Sequence, residues 1–396
     1  MRTNKNNHHD APYNPFKFGS DIARGRTYFA DREREMERLK EWVKEGERVV
    51  VFCSRRLGKT ALIVNVLDDL SKEDYLTAYL DVSTTPSKSL FVSKYRSLFI
   101  KEKTREWFID WIRRNLPKIK VALGEAKLDL SELSKEELDE AFDKILDLPQ
   151  QLASKYKKKV VVAFDEFHEI GGLDSGSAEN LMRSKFQFHD RVTYVFSGSK
   201  AHLLQDMFES KGKPFYKSAQ MFELQKIPRE LYSKFITRAF RNSGIAIKEI
   251  TVDEILSRTE LNTYYTQQLC HEIWDVCKLD GRASVEQQDV ERAIDQVIAN
   301  QSAVYEKIWE DLAPSYRKVL IGMVRHNLSS DQQLWSKEFR QENRLSVGSI
   351  DKAIKHLTDD YLIEKRSQER AKSGTSGGFA IPDPFFVKWL STRTLS

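Results

Sequence analysis

The four apolar residues Val49 to Phe52 run straight into Cys53-Ser54-Arg55-Arg56-Leu57-Gly58-Lys59-Thr60-Ala61. No other stretch constrains the fold as much, because Gly-Lys-Thr placed just beyond a buried strand is the end of a phosphate-binding loop. In such a loop a strand stops, the backbone turns tightly and a helix begins. The first helical N–H groups and the helix dipole then face an anion. Lys59 would reach the β- and γ-phosphates of a nucleoside triphosphate such as ATP, and the Thr60 hydroxyl would bind Mg²⁺. Nucleotide contacts would come from Cys53 through Ala61. The chain has Cys53 where the pattern has its first glycine, which the turn tolerates if φ there is negative. A strand, turn and helix with a chance Gly-Lys-Thr would carry the same letters, so the loop needs a partner.

Lys159 to Ile170 supply one: KVVVAFDEFHEI is a continuous apolar run ending in Asp165 and Glu166. Such a run suits a strand buried on both faces of a parallel sheet. An Asp at the strand tip can hold the hydration shell of Mg²⁺, and the acid beside it can orient and polarise an attacking water. Paired acids after a strand also suit a helix N-cap. Two half-sites of one Mg-nucleotide centre in a single chain favour the catalytic alternative.

With 396 residues, the chain has room for two or three domains. Its 31% charged residues nearly cancel to a net +5, so any nucleic-acid surface must be local. No apolar run approaches the roughly 18 to 20 residues that span a bilayer, and the first residues have no signal-peptide core. The three cysteines, Cys53, Cys270 and Cys277, fit neither a disulfide framework nor zinc spacing. These features point to a cytoplasmic protein with no membrane partner.

Further elements alternate along the chain. Arg32 to Glu45 is a charged amphipathic helix, and Tyr75 to Asp81 is a second strand. Leu90 to Leu116 is a long helical pattern with Phe91, Tyr95, Phe99, Trp107 and Trp111 as core positions. Ser134 and Glu137 cap a helix running to Leu148, with Pro149 near its end. Ala178 to Phe188 is helical, and Val192 to Ser197 is another buried strand ending in Ser197-Gly198-Ser199. At least four strands alternating with helices make a parallel α/β sheet. Glu230 to Ala299 then reads as helices alone.

The last hundred residues or so follow a different plan. Helices at Ser315–His326, Leu334–Glu342 and Val347–Asp360 precede strands at Tyr361–Arg366 and Phe379–Ile381, with a Gly/Ser-rich basic loop between them. Three helices and a hairpin are the winged helix-turn-helix pattern. Lys352 and Lys355 lie on its recognition helix, and Lys365, Arg366, Arg370 and Lys372 on its wing. These would meet DNA phosphates with salt-dependent affinity. Many winged helices instead bind protein or brace a neighbour, and that alternative stays open.

Taken together, these residues resemble the prokaryotic archaeal-type ATPases, a branch of the AAA+/STAND P-loop NTPases. The likeness rests on Asn14-Pro15-Phe16, the Phe29-to-Glu35 entry, Arg55-to-Thr60, Asp165-Glu166-Phe167 and Val195-to-Ser199. It continues through Pro214-Phe215-Tyr216, Tyr265-to-Leu269 and Asp383-to-Leu390. The resemblance implies an ATP-binding core, a helical lid and a C-terminal winged helix. It places Pro15, Phe16 and Arg32 on the adenine side and Ser197 or Ser199 as a polar sensor near the γ-phosphate. For Pro15, Phe16 and Arg32 plain packing of the arm is the alternative. For Ser199 it is capping of the next helix. Where relatives carry an arginine after Pro-Phe-Tyr, this chain has Lys217.

The expected architecture is a parallel-sheet, AAA+-like P-loop core with its N-terminal arm over residues 1–229, a lid over 230–302 and a winged helix over 303–396. The expected chemistry is Mg-ATP hydrolysis. Lys59, Asp165, Glu166, Ser197 and Ser199 are catalytic, while Thr60 and Asp165 hold the metal. The expected output is a nucleotide-controlled switch read by DNA or a protein partner, with a homo-oligomer allowed. The alternatives are a signalling module with little turnover, or a DNA-binding regulator with a structural ATP site.

Overall fold

The computed structural model describes residues 13–19, 30, 32–100, 104–116, 133–174, 176–326, 331–365 and 378–393. Packing divides the chain into two units, Ile22–Lys226 and Ile227–Ser396, with Met1–Asp21 joining the second.

The first unit is built on a five-stranded sheet of β1 (Val49–Phe52), β2 (Leu76–Asp81), β3 (Val160–Asp165), β4 (Val192–Gly198) and β5 (Gln220–Glu223), in the order β2-β3-β4-β1-β5. All neighbouring strands run parallel. Burial follows position in the sheet: every residue of β1, β3 and β4 is buried, whereas β2 and β5 alternate or are partly open. Central strands covered on both faces need unbroken apolar runs, and edge strands do not. That explains why β5, short and of mixed character, left no strand signal in the sequence.

Alternation along the strands sorts the core into two layers. Val50, Phe52, Val160, Val162, Phe164, Tyr194 and Phe196 face one layer. Phe164 is its hub, with its ring 5.7 Å from Tyr95 and 6.1 Å from Phe196. Val49, Val51, Val161, Ala163 and Val195 face the other layer, against Leu39 and Val43 of α1 (Glu33–Glu45) and Leu62, Ile63 and Val66 of α2 (Lys59–Lys72). Carrying the odd-numbered face two residues further brings Cys53, Asp165 and Ser197 to the carboxyl ends of three adjacent strands. This is where open α/β sheets carry their ligands.

The Leu90–Leu116 pattern resolves into two helices, Lys88–Ser97 and Arg105–Asn115. Pro149 opens a new helix, Leu148–Tyr156, just after Lys135–Leu146 ends, the position where a missing N–H and a fixed φ cost nothing. The Ser134–Glu137 capping box is formed as expected.

The second unit is nearly all helical: Arg229–Asn242, Glu249–Arg258, Thr263–Leu279, the long Gln288–Asp311, Pro314–His326, Asp331–Leu334, Lys337–Asn343, Val347–Asp359 and Pro384–Arg393. A short antiparallel ribbon pairs Glu364–Lys365 with Phe379–Ala380. The last helix is tied to the long one by Lys388, whose Nζ lies 2.6 Å from Glu291 and 2.9 Å from Asp295. Arm residues also belong here: Phe16 is buried with its ring 4.7 Å from Phe240, and its carbonyl oxygen is 2.8 Å from His271 Nδ1. Asn14 Nδ2 donates to the His271 carbonyl at 3.1 Å.

Candidate active site

Gly58 takes φ 90° immediately before α2, a left-handed conformation that glycine adopts freely. Arg56 shares that region at φ 68°, whereas Cys53 is not among the positive-φ residues, so the cysteine fits the turn. The Cys53 thiol is buried, and burial pushes it up to about 12, so it stays protonated and inert. Ser54, Arg55 and Arg56 are exposed on the loop, and Leu57 is buried beneath it. No side chain caps α2, which leaves its leading N–H groups for an anion.

Arg32 braces this loop from below. It is only 2% exposed, and its Nη2 donates to the Leu57 carbonyl at 3.1 Å. Its Nη1 donates to the Gln225 carbonyl at 2.6 Å and to Glu35 at 2.8 Å.

Asp165 is the centre of the site. Its Oδ1 pairs with Lys59 Nζ and accepts from Ser197 Oγ at 2.7 Å and from the Glu166 N–H at 3.0 Å. Its Oδ2 accepts from Thr60 Oγ1 at 2.7 Å and from Tyr79 OH at 2.8 Å. Burial alone would raise this carboxyl. The Lys59 ammonium outweighs it, helped by the Ser197 and Thr60 hydrogen bonds, and the group falls to about 2. Lys59 feels the mirror image: burial works against its charge, but Asp165 and Glu166 hold its pKa above the usual value. The pair is therefore ionised at neutral pH.

Glu166 sits where β3 breaks into a tight 3₁₀ turn, at φ 49°. It makes no capping bond to that turn. Its Oε1 lies 3.6 Å from Lys59 Nζ, and its Oε2 accepts from both the N–H and the hydroxyl of Ser199 at 2.9 Å. Ser199 thus holds Glu166, and the N-cap position of the following helix is Lys200. Gly198 is required beside it, since a Cβ there would meet His168 Nδ1 at 2.9 Å and Leu204 Cδ1 at 3.0 Å. The His168 ring nitrogens are 3.5 Å from Glu166 Oε2 and 3.1 Å from Glu169 Oε1 but lack hydrogen-bond alignment.

Lys59, Thr60, Asp165, Glu166, Ser197 and Ser199 therefore meet in one place. Two residues at this site escaped sequence reasoning. Tyr79 looks like any aromatic strand residue, and His168 like any polar residue after a strand. Thr60 and Asp165 offer hard oxygen donors that suit Mg²⁺. No group of three or more His, Cys, Asp or Glu side chains able to hold a metal occurs among the described residues, so a cation here would rely on phosphate and water for its remaining ligands.

Of the other sequence-derived positions, Lys352, Lys355 and Lys365 are exposed in the second unit. Arg366, Arg370 and Lys372 lie outside the described residues. No helix among the described residues is long and apolar enough to cross a membrane.

Among solved structures, the chain is similar to a Walker-type ATPase of Pyrococcus abyssi. The TM-score is 0.63 at 15% identity, over 92% of this chain and 97% of that one. The Aeropyrum pernix ORC2 protein, solved as ADPNP and ADP complexes, has a TM-score of 0.56 at 13% identity, over 94% and 98% of the two chains. The ORC1 protein of the same organism, solved in complex with DNA, has a TM-score of 0.51 at 13% identity, over 92% and 93%. These likenesses establish the P-loop NTPase fold. An uncharacterised ATP-binding protein of Methanocaldococcus jannaschii is 23% identical over 190 residues, 46% of this chain and 48% of the relative. The chain thus matches about half the length of that relative. The model of an ATPase domain found predominantly in Archaea matches residues 29–269, more than half of the sequence, and the chain belongs to that family.

Proposed function

We propose that the chain binds ATP with Mg²⁺ at the carboxyl ends of β1, β3 and β4 and hydrolyses it to ADP and phosphate. The observation that carries this is the double grip on Glu166: Ser199 holds one carboxylate oxygen at 2.9 Å while the other lies 3.6 Å from the Lys59 ammonium. A carboxylate fixed beside the phosphate-binding lysine is placed to accept hydrogen bonds from an attacking water. Lys59 and the N–H groups of the loop would stabilise charge on the phosphates. Mg²⁺ would supply neutralisation of the phosphate charge, and Thr60 with Asp165 would hold it. Ser197 keeps Asp165 aimed, and Ser199 keeps Glu166 aimed. Pro15 and Phe16 are proposed on the adenine side. Arg32 would act there through the loop backbone it braces.

The second unit is proposed to read the nucleotide state. Its helices at Pro314–His326, Lys337–Asn343 and Val347–Asp359, with the short ribbon, match the elements of a winged helix. Lys352, Lys355 and Lys365 are solvent-facing and basic. An A. pernix neighbour of the same fold was solved on DNA, which favours DNA over protein as the partner.

Phosphate release with and without duplex DNA tests both parts. Turnover should exceed that of Lys59→Ala. A rate equal to that variant under both conditions would leave a binding module or a structural nucleotide site instead.

A further inference from the structure

Tyr79 is the one site residue supplied by the edge strand β2, and its place follows from register. It pairs with Ala163 of β3, so both side chains lie on the α2 face, as does Asp165 two residues on. Diagonal neighbours on one face of a sheet are about 7–8 Å apart, within reach of a tyrosine. The small side chain of Ala163 leaves the ring room to cross β3. The phenol arrives at Asp165 Oδ2 at 2.8 Å. The ring's packing in the α2-side core would be met equally by phenylalanine, so the hydroxyl needs another explanation.

Asp165 supplies one. Its Oδ1 is shared by Lys59, the group that must turn to phosphate when a nucleotide arrives, with the Ser197 hydroxyl and the Glu166 N–H. Among the described residues, its Oδ2 is held by two hydroxyls alone, those of Thr60 and Tyr79. Thr60, which also interacts with the Tyr79 hydroxyl, has a proposed ligand role of its own, which leaves Tyr79 as the remaining donor to Oδ2.

We propose that Tyr79 is a positioning residue for the metal site: its hydroxyl fixes the Asp165 carboxylate in the orientation that receives the Mg²⁺ of Mg-ATP once Lys59 has moved away. The assignment rests on the Mg-nucleotide site proposed above. Burial, reinforced by Asp165, raises the phenol's pKa and keeps it a donor.

The experiment is a fluorescent-ATP titration at stepped Mg²⁺ concentrations, on the full chain and on Tyr79→Phe, with thermal midpoints measured alongside. The expected result is a Mg²⁺ half-saturation raised about tenfold, in the range of lost outer-shell contacts at metal sites, with nucleotide affinity in EDTA unchanged. An unchanged Mg²⁺ dependence overturns the assignment. An equal loss of affinity with and without Mg²⁺ also overturns it, since the hydroxyl would then only be supporting the loop. If the wild-type chain shows no Mg²⁺-dependent nucleotide binding, the underlying nucleotide site falls, and Tyr79 with it.

Discussion

In the sheet unit Lys59 and Asp165 are 7% and 4% exposed and pair directly with each other, whereas in the helical unit Lys352, Lys355 and Lys365 stand in solvent. Both regions are proposed to meet a phosphate-bearing ligand, and they would do so by different physics. A buried charge must have a partner at fixed geometry, because its desolvation is offset only by that partner. An exposed lysine contributes to a local field, is screened by salt and can stand in for its neighbours. Substitutions in the first region should act steeply and individually. Those in the second should act weakly and add together.

The steepest expected effect is Glu166→Gln, which keeps the shape and hydrogen-bonding reach but removes the base. Phosphate release should fall by about 10²–10⁴ while ATP affinity stays close to wild type. Comparable turnover in that variant would break the claim that the sheet unit is catalytic. Next comes Lys59→Ala, which leaves Asp165 buried without its cation. The cost of breaking such a buried pair, about 3–5 kcal/mol, should appear as a lowered unfolding free energy, and the missing phosphate contact as loss of ATP binding in calorimetry.

Acid titration sharpens the comparison further. Asp165 is depressed from an ordinary value near 3.8 to about 2 in the folded chain. A depressed carboxyl contributes stability above the unfolded-state value, and that contribution is lost as pH falls toward the folded one. It amounts to about 2 kcal/mol, so unfolding monitored between pH 4 and pH 2 should steepen in the wild type and flatten in Asp165→Asn. Ser199→Ala removes one of two donors to Glu166, and a net hydrogen bond of about 1 kcal/mol predicts a several-fold drop in turnover with little change in binding. The mildest change should come from the exposed lysines. Neutralising Lys352, Lys355 and Lys365 together should lower the slope of log affinity for DNA against log salt by at most about 3, since each phosphate contact contributes about 0.9. A slope that is already flat in the wild type would remove DNA from the proposal.

The sequence made the central strands and the two halves of the site legible because both obey short-range rules. Unbroken apolar runs identify β1, β3 and β4, and Gly58-Lys59-Thr60 must follow a strand to make sense. Edge elements were harder. β5 reads Gln-Met-Phe-Glu, two apolar residues between two polar ones, too short and without alternation to distinguish from loop. The Leu90–Leu116 pattern was read as continuous although Lys101 to Glu106 carries no apolar residue, the signal that could have separated Lys88–Ser97 from Arg105–Asn115. Tyr79 was invisible for a different reason. Its contact depends on the β2–β3 register and on the size of Ala163, neither of which has a local signature. Ser199 was recognised as a polar residue after β4, but its hold on Glu166 exists only in three dimensions.

The left-handed backbone at Glu166 has a consequence for what natural variation can do with this site. A side chain at φ 49° costs about 1–2 kcal/mol that a glycine would not incur. That strain is set against what the side chain gains there, two hydrogen bonds from Ser199 and the nearby Lys59 charge. Comparing the thermal midpoints of Glu166→Gly and Glu166→Gln would weigh the two, since glycine relieves the backbone and loses the contacts whereas glutamine keeps the strain and the shape.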